Sequence, residues 1–221
     1  MNLMMLLEMA AEGLGDRVAV GSLDDGLTYR QLYDRAHGAA NRYRAAGVES
    51  AVVCDESSPA LPIALFGSAW AGIPYVPLNY RLPADDLLAL AERAGSAVAI
   101  ADESNLERLG GLPGVSCVSA EAFSADPAAG TDGHASPGDW NMDPDDLAVL
   151  LFTSGTTGSP KSAVLRHKHL VSYILGSVEF MGAGEDEATL VSVPPYHIAG
   201  VASMLSSVYA GRRIVQLPRF D

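Results

Sequence analysis

Hydrophobic positions along the chain fall into two alternating kinds of run. Short runs of β-branched and small apolar residues read as strands: RVAVGS (17–22), AVVCD (51–55), YVPLN (75–79), AVAIAD (97–102), VSCVS (115–119), DLAVLLF (146–152), SAVL (162–165), TLVSVP (189–194) and RRIVQLP (212–218). Longer runs with apolar residues at helical spacing lie between them. In LTYRQLYDRAHGAANRYRAAG (27–47), Thr28 is a candidate cap, Leu32, Ala36, Ala40 and Tyr43 share one face, and Gly47 ends the pattern. PALPIALFGSAWAG (59–72), ADDLLALAERAG (84–95), HKHLVSYILGSVEFMG (167–182) and IAGVASMLSSVYAG (198–211) read as further helices. The DLAVLLF run is apolar throughout, which predicts a strand in the middle of a parallel sheet. Strand and helix alternate, so the expected fold is α/β, with layered, mostly parallel sheets flanked by helices.

Two segments depart from this rhythm. The leading MNLMMLLEMAAEGLG (1–15) is apolar but has no basic start and is interrupted by Glu8, unlike a secretory leader. Leu3, Leu6, Leu7 and Ala10 recur at helical spacing and predict a surface helix. Residues 122–146 hold few large apolar groups and many Gly, Pro, Ser and Asp, and predict an exposed connector.

Composition narrows the partners. With 221 residues and 48% hydrophobic content the chain can build a sizeable core. A formal charge of −13 opposes binding to nucleic acid and to anionic membrane surfaces. No apolar run reaches the length of a membrane span. Cys54 and Cys117 match no metal or redox spacing and read as two buried thiols in a reducing, cytoplasmic setting.

Residues 150–165, LLFTSGTTGSPKSAVL, carry the chemistry. A buried strand ends, and the chain leaves the sheet edge through hydroxyls and glycines to a lysine. Open α/β folds bind ligands at the carboxyl ends of their strands. Gly155 and Gly158 allow close backbone approach, successive N–H groups can converge on one anion, and Thr153, Ser154, Thr156, Thr157 and Ser159 add hydroxyls. Lys161 supplies a positive charge, and Arg166, His167 and Lys168 follow; residues 153–172 contain no acid. This suits a polyphosphate. It is not a Walker loop, because Pro160 stands where that loop needs a glycine before the lysine.

The stretch TSGTTGSPK resembles the phosphate-loop signature of the adenylate-forming superfamily: acyl- and aryl-CoA synthetases, luciferases and peptide-synthetase adenylation domains. LTYRQL (27–32), WAGIPYVPLNYRLP (70–83) and VPPYHIAG (193–200) resemble further motifs of that family, in family order. The resemblance implies that a carboxylic acid is activated with ATP as an acyl-AMP and passed to a thiol, usually of coenzyme A. It implies that Thr153, Ser154, Gly155, Thr156, Thr157, Gly158 and Lys161 hold the β- and γ-phosphates, with Lys161 catalytic and Thr156 helping to hold Mg2+. It assigns Tyr196, His197 and Gly200 to the acyl side, His197 with a catalytic role. Ser162 departs from the glycine that many relatives carry after the lysine. A histidine motif in place of an aspartate favours a fatty or aryl acid over an amino acid.

Family members also carry an adenine-binding Thr-Glu segment, a TGD-type segment and a C-terminal lid domain with a catalytic lysine. None of these motifs occurs in the 221 residues. The expectation is therefore the N-terminal part of an AMP-binding domain, belonging to an AMP-forming acid–CoA ligase and inactive alone. Two alternatives stay open: a non-catalytic nucleotide- or acyl-binding module, and an acyl-AMP ligase delivering to a carrier protein. Whether the chain pairs as a homodimer is also open.

Overall fold

The structure, a computed structural model, describes residues 1–125, 139–153 and 160–217. In chain order the elements are α1 (Met4–Leu14), β1 (Val18–Val20), β2 (Leu27–Thr28), α2 (Tyr29–Ala46), β3 (Ser50–Cys54), α3 (Ala60–Ala71), β4 (Tyr75–Pro77), α4 (Ala84–Arg93), β5 (Ala97–Ala101), α5 (Glu103–Leu109), β6 (Val115–Ser119) and α6 (Ala120–Ala125). They continue with β7 (Leu147–Thr153), β8 (Lys161–Arg166), α7 (His167–Ser177), β9 (Ala188–Val191), α8 (Ile198–Ala210) and β10 (Arg213–Gln216).

Among the described residues the strands form two sheets. The larger runs β6-β5-β3-β4-β7-β8 and the smaller β2-β1-β10-β9. Neighbouring strands are parallel except at β7/β8 and β1/β2. The α/β class with mostly parallel sheets holds. Strand β7 differs from the reading of 146–152 in two respects: it lies next to the edge strand rather than in the middle of the sheet, and it is parallel to β4 but antiparallel to β8. Both faces of β7 need cover, which is why its sequence is apolar throughout, but its β8 partner returns through a hairpin.

Side-chain alternation splits the larger sheet between two cores. Ala51, Val53, Tyr75, Val98, Ile100, Val149 and Leu151 face a large core shared with α1, α2, α3, α7 and α8. Val52, Cys54, Val76, Ala97, Ala99 and Ala101 face a smaller one under α4 and α5. The α3 helix is buried on nearly every side, as its near-continuous apolar sequence requires. A Cβ on Gly67 would come within 2.6 Å of Ala39 Cβ, so the missing side chain sets how closely α2 and α3 pack. At the start of α2, the Thr28 hydroxyl accepts from Gln31 N and Gln31 Oε1 accepts from Thr28 N, closing a capping box. Gly47 ends the helix in the left-handed region.

Several sequence expectations need correction. The α1 helix is not a surface helix: Leu3, Met4, Leu6, Leu7, Ala10 and Ala11 are buried, because it packs against α2, α3 and α8. The pattern of apolar positions does not predict the short helices α5 and α6. The edges of 122–146 are only partly an exposed connector: residues 141–145 are exposed, but residues 122–125 belong to α6, Phe123 is 4% exposed against Tyr43, and Trp140 is 7% exposed against Trp70 with ring centroids 5.1 Å apart. A few large rings in a polar stretch are enough to tether its ends. Residues 126–138 lie outside the described residues. The α7 helix stops at Ser177 rather than 182, where Val178 turns extended and Phe180 packs on Tyr209 at 5.0 Å. Of the two free thiols, Cys54 is buried and pushed up to about 12 by that burial, whereas Cys117 is exposed. No described helix is long and apolar enough to cross a membrane.

Candidate active site

Every parallel strand of the larger sheet ends at the same edge, so the exits of β3, β4, β5 and β7 form one rim. The β7/β8 hairpin stands on it. Thr153 is paired with Lys161 across the ladder, and the Thr153 hydroxyl donates to the Lys161 carbonyl at 3.3 Å. Both residues are exposed, and no carboxylate among the described residues pairs with the Lys161 ammonium. Ser154, Gly155, Thr156, Thr157 and Gly158 lie outside the described residues.

The structure breaks up the cationic run that follows. Strand β8 carries the chain away from the rim, and Arg166 faces Leu147 at the opposite edge, about 17 Å along an extended strand. Arg166 donates there to the Asp145 carbonyl, and Lys168 pairs with the Asp145 carboxylate. His167 is 2% exposed and its Nδ1 accepts from Leu3 N at 3.2 Å. Burial, aided by the nearby chain terminus, lowers its pKa to about 4, so it is neutral. Arg166, His167 and Lys168 are therefore not part of the rim site.

The second group sits at the start of α8. His197 is the N-cap residue, with its N–H on the Pro194 carbonyl at 3.1 Å and its carbonyl accepting from Gly200 N at 3.0 Å. A Cβ on Gly200 would stand 2.9 Å from Pro194 O and 3.2 Å from Pro195 Cα, both backbone atoms, so this tight turn excludes any larger residue. The turn leaves the His197 side chain exposed and Tyr196 half-buried, with ring centroids 4.6 Å apart. Tyr196 meets Tyr80 edge-on at 5.6 Å, and the Arg81 guanidinium lies 5.3 Å from the Tyr80 ring. Burial, then the neighbouring Tyr80, raises the Tyr196 hydroxyl pKa. Thus Tyr80 and Arg81, just past β4, join the site. The 70–83 motif contained them, but no residue spacing connects position 80 to position 196.

Behind Tyr80 opens a cavity of about 550 Å3, lined by Asp55, Glu56, Asp102, Glu103 and Asn105 among others. Its principal acids are occupied with local structure. Asp102 caps α5, accepting from Asn105 N at 2.9 Å and Ser104 Oγ at 2.7 Å. Burial works to raise its pKa, but those hydrogen bonds outweigh it and hold the carboxyl below its usual range. Asp55 accepts from Ser58 Oγ and from Glu56 N, yet burial dominates and raises its pKa. From α5, Arg108 donates to Asn105 Oδ1 at 2.6 Å and to the Leu82 carbonyl at 2.5 Å, which fixes the segment carrying Tyr80. No cluster of three or more His, Cys, Asp or Glu among the described residues is arranged to hold a metal.

The chain is similar to known proteins over nearly its whole length. The chain is 30% identical to a feruloyl-CoA synthase from an Amycolatopsis species over 199 residues, 88% of this chain and 40% of that protein. It is 29% identical to bacitracin synthase 3 of Bacillus licheniformis over 218 residues, 95% of this chain but 3% of that protein. It therefore spans well under half the length of either. Among solved structures, the N-terminal domain of FACL13 from Mycobacterium tuberculosis superposes with a TM-score of 0.79 at 22% identity, covering 100% of this chain and 58% of that one. The family model described as AMP-binding enzyme matches residues 7–221, and on that match, over a rim that carries the hairpin lysine and the α8 histidine, the chain belongs to the AMP-binding enzyme family.

Proposed function

We propose that the chain forms the N-terminal part of an acid–thiol ligase that activates a fatty or aryl carboxylic acid with ATP. The carboxylate oxygen attacks the α-phosphorus of ATP, the bond to the β-phosphate oxygen breaks, and acyl-AMP and pyrophosphate form. The thiol of coenzyme A then attacks the acyl carbon and AMP leaves. In this reading Thr153, Ser154, Gly155, Thr156, Thr157 and Gly158 hold the β- and γ-phosphates through backbone N–H groups and hydroxyls, and Thr156 helps hold Mg2+. Lys161 balances charge on the departing pyrophosphate. Tyr196, His197 and Gly200 form the acyl side, with the ring line Tyr80–Tyr196–His197 offering apolar faces to the acid.

One observation carries the reading: Lys161, with no acidic partner among the described residues, opens β8 opposite Thr153 at the carboxyl edge of the mostly parallel sheet. The preference for an acid without an amino group rests on the histidine motif at 193–200, which offers no carboxylate to an ammonium. That feruloyl-CoA synthase is among the relatives supports an aryl or acyl substrate and a CoA acceptor.

Pyrophosphate exchange with a panel of fatty and aryl acids tests it. In the longer enzyme, Lys161→Ala is expected to suppress exchange. His197→Ala is expected to keep most exchange and lose thioester formation. Residues 1–221 alone are expected to bind ATP weakly and to form no acyl-AMP; robust exchange by this chain would overturn the division of labour proposed here.

A further inference from the structure

We propose that Arg93 is a positioning residue that sets the aim of Lys161, an inference that rests on the phosphate reading above. Arg93 lies in the last turn of α4, a helix the sequence motifs do not connect to the hairpin. Its guanidinium stands 4.8 Å from the centroid of the Phe152 ring, and its Nη1 donates to the Pro160 carbonyl at 2.9 Å. Phe152 directly precedes Thr153, and Pro160 directly precedes Lys161. One side chain thus grips both strands of the hairpin, each one residue from the Thr153–Lys161 pair.

The backbone chemistry explains why this grip matters. Proline has no N–H, so position 160 cannot donate the next ladder bond beyond Lys161. Its ring holds φ near −65°, which leaves ψ as the soft torsion. The Pro160 carbonyl shares a rigid plane with the Lys161 nitrogen. Fixing that oxygen fixes the plane, and with it the direction in which the Lys161 Cα leaves the turn. Arg93 instead satisfies the Pro160 carbonyl and so anchors the chain beside the point where the ladder loses a donor. An arginine suits this better than a lysine, because the planar guanidinium can lie against Phe152 while its N–H points at the carbonyl. Helix α4 is anchored beneath by Leu87, Leu90 and Ala91 in the smaller core, so the arm has a fixed base.

The test is a 31P NMR titration of Mg-ATP and of tripolyphosphate into the chain at millimolar ligand, with thermal melting as a fold control. Arg93→Ala is expected to weaken binding about ten-fold with little change in melting, since the side chain is exposed and the loss combines a charged hydrogen bond with a cation–π contact. Arg93→Lys is expected to recover only part of the loss. Phe152→Leu is expected to weaken binding about three-fold in the parent background and not at all in Arg93→Ala, because both act through one contact. If Phe152→Leu and Arg93→Ala were additive, Arg93 would act as a free charge and the proposal would fall. If Arg93→Ala bound like the parent while Lys161→Ala did not, the positioning role would be wrong and the phosphate reading would stand. If the parent chain and Lys161→Ala both showed no saturable binding, the reading and the inference would fall together.

Discussion

Two regions of one sheet edge have opposite electrostatic character. At the exits of β3 and β5 the rim is acidic: Asp55, Glu56, Asp102 and Glu103 line a cavity. At the exit of β7 the rim is cationic, with Lys161 on the hairpin, Arg93 reaching it from α4 and no acid between residues 153 and 172. Two of these acids serve the local chain: Asp102 caps α5, and Asp55 accepts from Glu56 N and Ser58 Oγ. The hairpin has no such use for Lys161, whose ammonium is left facing outward. Tyr80 stands between the two regions, touching Tyr196 and lining the acid cavity. Among the described residues the rim thus carries both signs, and the anion reading proposed above rests on its cationic end.

The comparison is sharpest at Lys161. Replacing it with Ala in the longer enzyme should lower the adenylation rate about 10²- to 10³-fold, the typical cost of one preorganised group at developing charge. Pyrophosphate exchange measures it, and a loss below ten-fold would break the claim that the cationic pole is the phosphate site.

The second test asks whether the basic run is truly divided. His167 stays neutral in the fold down to about pH 4, whereas an unfolded histidine takes up its proton near 6.5. The unfolded state therefore binds more protons in that window, and stability is lost as pH falls through it. The expected loss between pH 7 and 4 is about 3 kcal/mol by urea unfolding, and His167→Gln should flatten this limb. An unchanged slope would return His167 to the cationic cluster.

A smaller effect is expected at the acyl side of the rim. Gly200→Ala should cost about 1–3 kcal/mol by urea unfolding, because its Cβ would meet the Pro194 and Pro195 backbone rather than a side chain that can swing aside. It should also slow thioester formation more than pyrophosphate exchange, by displacing His197. Smallest of all, Asp145→Asn should leave both melting temperature and phosphate binding unchanged, since its ion pair with Lys168 is solvent-exposed and far from the rim. A change in phosphate binding would mean that Lys168 does reach the site.

Much of the fold is legible in the sequence. The Thr28 cap, the Gly47 stop and the strands on either side of 153–161 follow from local rules that act within a few residues. The errors share a different cause. A polar tract was read as exposed, yet Phe123 and Trp140 find distant rings at Tyr43 and Trp70. A leading helix with one apolar stripe was read as surface, yet three helices close over it. Arg166, His167 and Lys168 were grouped with Lys161 because they are near in sequence, but an extended strand separates neighbours faster than any other regular structure.

By itself the sequence determined the class of the fold, the phosphate-loop motif and the family, because each depends on short patterns: period-two and helical alternation, glycine and proline placement, and ordered motifs. Only the tertiary structure decided which charges share the site. It brought Tyr80 to Tyr196 across more than a hundred residues and Arg93 to Phe152 and Pro160. It also removed His167 by burying it against the Leu3 amide. Burial and contact between remote segments set the charge and aim of a side chain, and neither is a property of its neighbours along the chain.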